Sequence, residues 1–243
     1  ANRARTGYEP MTAAQYLDGF SSVDNPEWMW GMEIINDQAT VLASFFSHID
    51  ASVFGYALAG GQQKKITKAL YDQIPSGDIR KLVFTAPGTG NDDNPDYNQT
   101  KFMLPDPNSW AGDYVFMRAA EMYLIEAEAL ARQAQEGPAR NVLEELVQTR
   151  NPAFDASGLT GSALINAITL QRRIELWGEG FSLLDIKRLK TGLNRPTGDG
   201  NHGSPNLNPN VLTLASQDAR FLMKIPQREI DANENMTTAD QNP

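Results

Sequence analysis

Three stretches decide the fold: DYVFMRAAEMYLIEAEALAR (113–132), GPARNVLEELVQTRNP (137–152) and LINAITLQRRIELWGEGFSLLDIKRLK (164–190). In the first, Ala120, Tyr123, Ala127 and Leu130 recur at helical spacing, with Leu124 and Ala131 beside them. Its many alanines let another helix approach closely. The second opens on Gly137-Pro138, where a proline in the first helical turn loses no needed hydrogen bond. Val142, Leu143, Leu146 and Val147 form its apolar stripe, and Asn151-Pro152 stops it. Two short helices joined by a tight turn predict an antiparallel hairpin.

The third stretch carries two stripes on one predicted helix. Ala167, Leu170, Ile174, Trp177 and Phe181 are apolar, while Arg172, Glu175 and Glu179 form a charged row. Gly180 is placed to end the helix in a left-handed conformation, and Asp185, Lys187 and Arg188 follow on the next short segment. A carboxylate pair for acid–base chemistry is one reading of the row. An ion-pair network is the favoured one, because each carboxylate has a cation at pairing distance along the helix. Arg172, Glu175, Glu179, Asp185 and Arg188 are therefore expected to be shielded and paired with one another or with backbone.

MRAAEMYLIEAEALA (117–131), QRRIELWGEGFSLLDIKRL (171–189) and KIPQREIDANENMTTADQNP (224–243) together resemble the C-terminal half of the SusD/RagB family. Arg172, Glu175, Leu176, Glu179, Gly180, Asp185 and Arg188 match the family's helix pattern. Gln171 and Ser182 stand where the family usually has glutamate and arginine. MTAAQYLDGFSSVDNPEWMWGMEI (11–34) and ALYDQIPSGDIRK (69–81) are similar to it more weakly, and Asp78 and Arg80 resemble a family motif joining the insert to the scaffold. The resemblance implies a mainly α fold: tetratricopeptide-like helical hairpins, an irregular insert and a few short strands. It implies a variable, ligand-facing region over 1–112 and a helical scaffold over 113–243. It also implies an outer-membrane, cell-surface lipoprotein that binds glycans and delivers them to a SusC-like TonB-dependent transporter. Some members take peptides instead. Family members are about twice as long, so the chain reads as the C-terminal half of a larger protein whose lipid anchor lies elsewhere.

Composition narrows the alternatives. The 243 residues hold 21 basic and 30 acidic side chains, a formal net charge of -9. No basic cluster tracks a phosphate backbone, so nucleic acid is not an expected partner. No apolar run is long enough to span a bilayer. Cysteine is absent, which removes disulfides, thiolate metal sites and cysteine nucleophiles. Neither His48 nor His202 has a partner at metal-ligand spacing, and no phosphate-cradling or hydrolase motif occurs. The expectation is therefore no cofactor, no metal and no enzyme. A glycosidase using a carboxylate pair is the least favoured reading, and a protein-only helical scaffold is a further one.

Along the chain, Thr12 is placed to cap a short helix bearing Tyr16 and Leu17. NPEWMWGMEII (25–35) alternates with a period of two and reads as a strand, with Trp28 and Trp30 assigned to the core. Asn36-Asp37-Gln38 ends it with turn chemistry. ASFFSHIDASVFGYALAGGQQ (43–63) lacks a clean period and mixes rings with short polar side chains. Such a mixture suits a sugar or peptide site: rings for flat faces, polar groups for hydroxyls or amides. The ligand surface is expected on 36–61. Phe46 and Tyr56 are the expected stacking rings, and Asn36, Asp37 and His48 the hydrogen-bonding partners. Trp110 is either a lid on the core or an exposed ring at the edge of that surface.

The remaining segments read plainly. Lys64 to Ile74 predicts a helix ended by Pro75-Ser76-Gly77. TAPGTGNDDNPDYNQT (85–100) is acidic, but its spacing is not that of a calcium loop. TGLNRPTGDGNHGSPNLNPN (191–210) is a loop in any fold, and a short strand is expected near 220–226.

Overall fold

The computed structural model describes residues 1–201 and 212–242; the rest of the polar loop, with His202, lies outside them. The chain forms two compact units, Ala1–Leu176 and Trp177–Pro243.

The first unit begins with helix α1, Ala13–Leu17. The Thr12 side chain accepts from Gln15 N while the Gln15 side chain accepts from Thr12 N, a reciprocal cap that holds so short a helix. Strand β1, Trp28–Met32, follows. Then come a 3-10 turn at Asn36–Gln38 and short helices α2 (Phe45–Ile49), α3 (Tyr56–Ala59) and α4 (Lys68–Tyr71). The predicted helix over 64–74 is thus confined to four residues. Its beginning is extended instead, because Lys65 bridges to Asn98.

Strand β2 is Tyr114–Arg118, antiparallel to β1. The helical reading of the first scaffold stretch is corrected over these five residues. Tyr, Val and Phe favour a pleated surface, and β1 supplies the partner edge. The helix proper, α5, spans Ala119–Arg132. It packs against α6 (Glu136–Val147) and α7 (Gly161–Glu175). The buried alanines 119, 120, 127 and 139 permit that approach, and Tyr123, Leu124, Leu143, Leu146, Leu164 and Ile168 fill the core between the helices. Fold and periodicity agree here: the chain is mainly helical, with few, short strands among the described residues.

The register of β1 on β2 shifts between Trp28 and Trp30 and again between Trp30 and Gly31. Such irregularities re-aim side chains. Trp28 is buried as expected, but Trp30 is 62 % exposed and packs on exposed Phe116, ring centroids 5.1 Å apart. Its assignment to the core is corrected.

α7 ends at Glu175, earlier than predicted. Gly178 and Gly180 both have positive φ (81° and 87°), so the chain turns there. Gly180 therefore precedes the next helix and does not close the preceding one. The charged row therefore does not run along a single helix, since α7 stops before Glu179.

In the second unit α8 spans Phe181–Leu189. A two-residue strand β3 (Leu193–Asn194) pairs antiparallel with β4 (Thr213–Leu214). A 3-10 turn spans Ala219–Phe221, residues 222–226 are irregular and helix α9 spans Gln227–Ala232, so the strand expected near 220–226 is not formed. Asp218 caps that turn by accepting from Arg220 N, which commits the backbone to a tight turn. Arg188 pairs with Asp185 at 2.7 Å on α8, a pairing within the expected set, with Asp185 largely shielded and Arg188 exposed.

Candidate functional site

The insert that bears the expected ligand residues is pinned to the segment running into β2. Asp50, buried, accepts from Ser52 N (2.8 Å) through one oxygen and from Leu104 N (2.8 Å) through the other. Gln99, also buried, donates to the Ile49 carbonyl (2.7 Å) and accepts from Phe102 N (2.8 Å). Asp113 accepts from Val23 N and Ile34 N, both at 2.8 Å, and so fixes the exit of β1. An irregular backbone needs such side chains because no ladder satisfies its amides.

Two of the expected residues meet on this frame. The His48 and Tyr56 rings stack, centroids 4.9 Å apart and planes 24° from parallel. His48 is exposed and Tyr56 is 47 % exposed, so the pair is bounded by solvent. Ser47 beneath it is fully buried. Its hydroxyl accepts from Tyr56 N (3.2 Å), while Ser47 N donates to Ser44 Oγ (3.1 Å), the cap of α2. Gly55 lets the two short helices close up: a Cβ there would lie 2.8 Å from the Ser47 backbone.

Asn36 and Trp110 are brought near one another. The Asn36 carboxamide oxygen accepts from Ser109 Oγ (2.8 Å), the residue before Trp110, which is partly exposed. Asp37 is exposed in the adjoining 3-10 turn.

Phe46 is not part of the surface. Its ring is 0 % exposed and packs against Phe45 and Tyr114. A Cβ on Gly112 would lie 2.5 Å from it. A ring with no free face cannot stack on a ligand, so its expected stacking role is corrected to an anchor of the insert. Adjacent aromatics on a short helix point in different directions, and the sequence does not say which one faces in. The most exposed ring left unassigned in this segment is Phe54, 77 % exposed and two residues before Tyr56.

The first unit also holds a buried ionic cluster. Glu175, 0 % exposed, meets Arg118 Nη1 (2.7 Å), Arg150 Nη2 (3.1 Å) and Arg80 Nη1 (3.2 Å). Glu27 holds Arg118 (2.6 Å) and Arg150 (2.9 Å) from the other side, and Asp78 holds Arg80 (2.6 Å). Lys101 Nζ donates to the Glu175 carbonyl (2.9 Å). Burial by itself would raise the Glu175 pKa, but Arg150, Arg118 and Arg80 outweigh it and hold the carboxyl well below its usual range. Arg172 pairs elsewhere, with Glu121 on α5 (3.1 Å). Shielding of Glu175 and Arg172 is as expected. The arginines that meet Glu175 come from distant segments and not from its own helix. Every carboxylate of the cluster is held by arginine, an arrangement for cohesion and not for proton transfer.

Among the described residues, no three His, Asp or Glu side chains could together hold a metal ion. None of the described helices is long and apolar enough to cross a membrane.

A profile of the SusD family matches residues 86–243. A SusD-like carbohydrate binding protein from Bacteroides vulgatus ATCC 8482 is 31 % identical in sequence, with a TM-score of 0.76 over 96 % of this chain and 52 % of its own. A putative sugar binding protein from the same organism is 23 % identical (TM-score 0.73, 98 % and 51 % covered). A SusD superfamily protein from Bacteroides thetaiotaomicron VPI-5482 is 20 % identical (TM-score 0.72, 98 % and 53 % covered). The chain spans about half the length of these relatives. No curated protein matches it by sequence.

Proposed function

The chain belongs to the SusD family, and on that premise we propose that it binds glycans at the cell surface through the face bearing His48 and Tyr56. Phe54, Asn36, Asp37 and Trp110 supply its margins. The observation that carries this reading is the solvent-bounded His48–Tyr56 stack, held on a frame of buried hydrogen bonds. Holding rings in place before the ligand arrives lowers the ordering cost of binding. The 31 % identical relative is described as carbohydrate binding, which supports the ligand class. The wider setting we propose is that of the family: an outer-membrane lipoprotein that passes its ligand to a SusC-like TonB-dependent transporter. The protein acts as a binder and not as an enzyme.

Calorimetry with a panel of glycans tests the site. Tyr56→Ala and His48→Ala should each weaken binding by roughly 1–3 kcal/mol, with the circular dichroism spectrum retained. Equal affinity for the parent and both variants, all folded, would move the site elsewhere. Release of new reducing ends from any bound glycan would count against a pure binding role.

A further inference from the structure

We infer that the His48–Tyr56 face takes neutral glycans and discriminates against acidic ones, those carrying uronate carboxylates or sulfates; this rests on the glycan-binding reading above. No lysine or arginine occurs between Arg5 and Lys64, nor between Lys101 and Arg118. These two runs supply the insert and the loop pinned beside it. His48 is the single basic side chain in either run.

The flanking cations face other work. Lys101 and Arg118 are buried in the ionic cluster, on Glu175 and Glu27. Lys64 Nζ donates to the Gln62 carbonyl at 2.7 Å. Meanwhile Glu33, Asp37 and Asp106 stand exposed on the same runs. The Asn36–Ser109 hydrogen bond ties the loop of Asp37 to that of Asp106, so their charges reinforce one another. Recognition of carboxylate or sulfate ordinarily uses arginine forks or lysine charges. Here an anionic ligand would meet the exposed carboxylates of these runs, whose repulsion reaches over about one Debye length, roughly 8 Å at physiological salt, and no lysine or arginine within either run to offset it. A neutral sugar loses nothing on such a face: its C–H surfaces stack on the rings, and its hydroxyls donate to Asp and Asn oxygens.

The test compares one polymer with its own charged derivative. Neutral polysaccharides (starch, mixed-linkage glucan, xylan and mannan) are screened by affinity electrophoresis with the chain and with Tyr56→Ala. The polymer that retards the chain in a Tyr56-dependent manner is then oxidised at its C6 hydroxyls to carboxylates, or sulfated if it lacks C6. Polygalacturonate and chondroitin sulfate are run beside it. The expected result is about tenfold or greater loss of affinity on introducing charge, as like-charge juxtaposition demands. Raising the salt concentration should recover part of the loss, and so should an E33K/D37K double variant; a purely steric effect would respond to neither. Tyr56-dependent binding of an acidic polymer as tightly as any neutral one overturns the inference and leaves the glycan reading standing. Loss of affinity that neither salt nor the double variant relieves also overturns it. Absence of Tyr56-dependent binding to every polymer overturns the glycan site itself, and the inference with it.

Discussion

Glu175 Oε1 lies 2.7 Å from Arg118 Nη1, and both side chains are shut off from solvent. Glu175 is the last residue of α7, and Arg118 the last of β2. The pair therefore joins the helical scaffold to the strand ribbon that leads into the insert. Arg150 at the end of the α6 hairpin and Arg80 beside the insert converge on the same carboxylate. One side chain ties four separate segments.

Glu175→Gln should thus cost far more than a surface substitution. It keeps the volume but leaves three buried arginines short of a counter-charge, a defect of about 3–5 kcal/mol. Chemical denaturation should show the loss as a lower midpoint with an unchanged slope. A change within experimental error would mean that the cluster contributes nothing to stability.

The same carboxylate sets the acid limb of stability. Its folded pKa is depressed, so the folded state binds the proton less readily than the unfolded chain. Its contribution is complete above the unfolded value of about 4.3 and is lost as pH falls through the folded value. Thermal melts should be flat from neutral pH to about pH 5 and decline below it. In Glu175→Gln that decline should be shallower, since the group that takes up the proton is gone. Parallel acid limbs in the two proteins would exclude Glu175 as the cause.

Gly112 and Gly137 make unequal predictions for the same substitution. A Cβ at Gly112 would meet the Phe46 ring at 2.5 Å and Leu104 at 2.8 Å. Gly112→Ala should therefore destabilise by about 1–3 kcal/mol through overpacking. Nothing beyond its chain neighbours lies within 4 Å of a Cβ at Gly137, in the first turn of α6. The entropic gain of Gly137→Ala is opposed by Pro138, whose ring disfavours a helical residue with a Cβ before it, so the change should stay within about 1 kcal/mol. Calorimetric melting of the two variants side by side checks the size of each.

Gly55→Ala tests whether the stacked pair depends on the close approach of α2 and α3. The added methyl would press on Ser47 Cα and its carbonyl at 2.8 Å, atoms that cannot swing away. Tyr56 N should part from Ser47 Oγ and the two rings should separate. The ring-current shift on the His48 imidazole protons should collapse toward its random-coil value, with α5 to α7 unperturbed. A retained shift would show that the stack forms without the contact.

Much of this protein is legible in its sequence, and the reason is local. Apolar period marks the buried faces of α5, α6 and α7, because a helix presents every third or fourth residue to one side. Thr12 and Gln15 announce their cap, because both partners lie within one turn. The absence of lysine and arginine between Arg5 and Lys64 is also plain in the chain itself. What only the tertiary structure decides involves partners distant in sequence. The row Arg172, Glu175, Glu179 suggests pairing along one helix, yet Glu175 is claimed by Arg80, Arg118 and Arg150. Desolvated charges take the partners that surround them in space. Phe46 and Tyr56 look equally able to stack on a ligand, yet one is sealed by Gly112 and Tyr114 and the other stands open. In a segment without period, exposure depends on which distant residues reach each side chain, and no spacing within 36–61 records that.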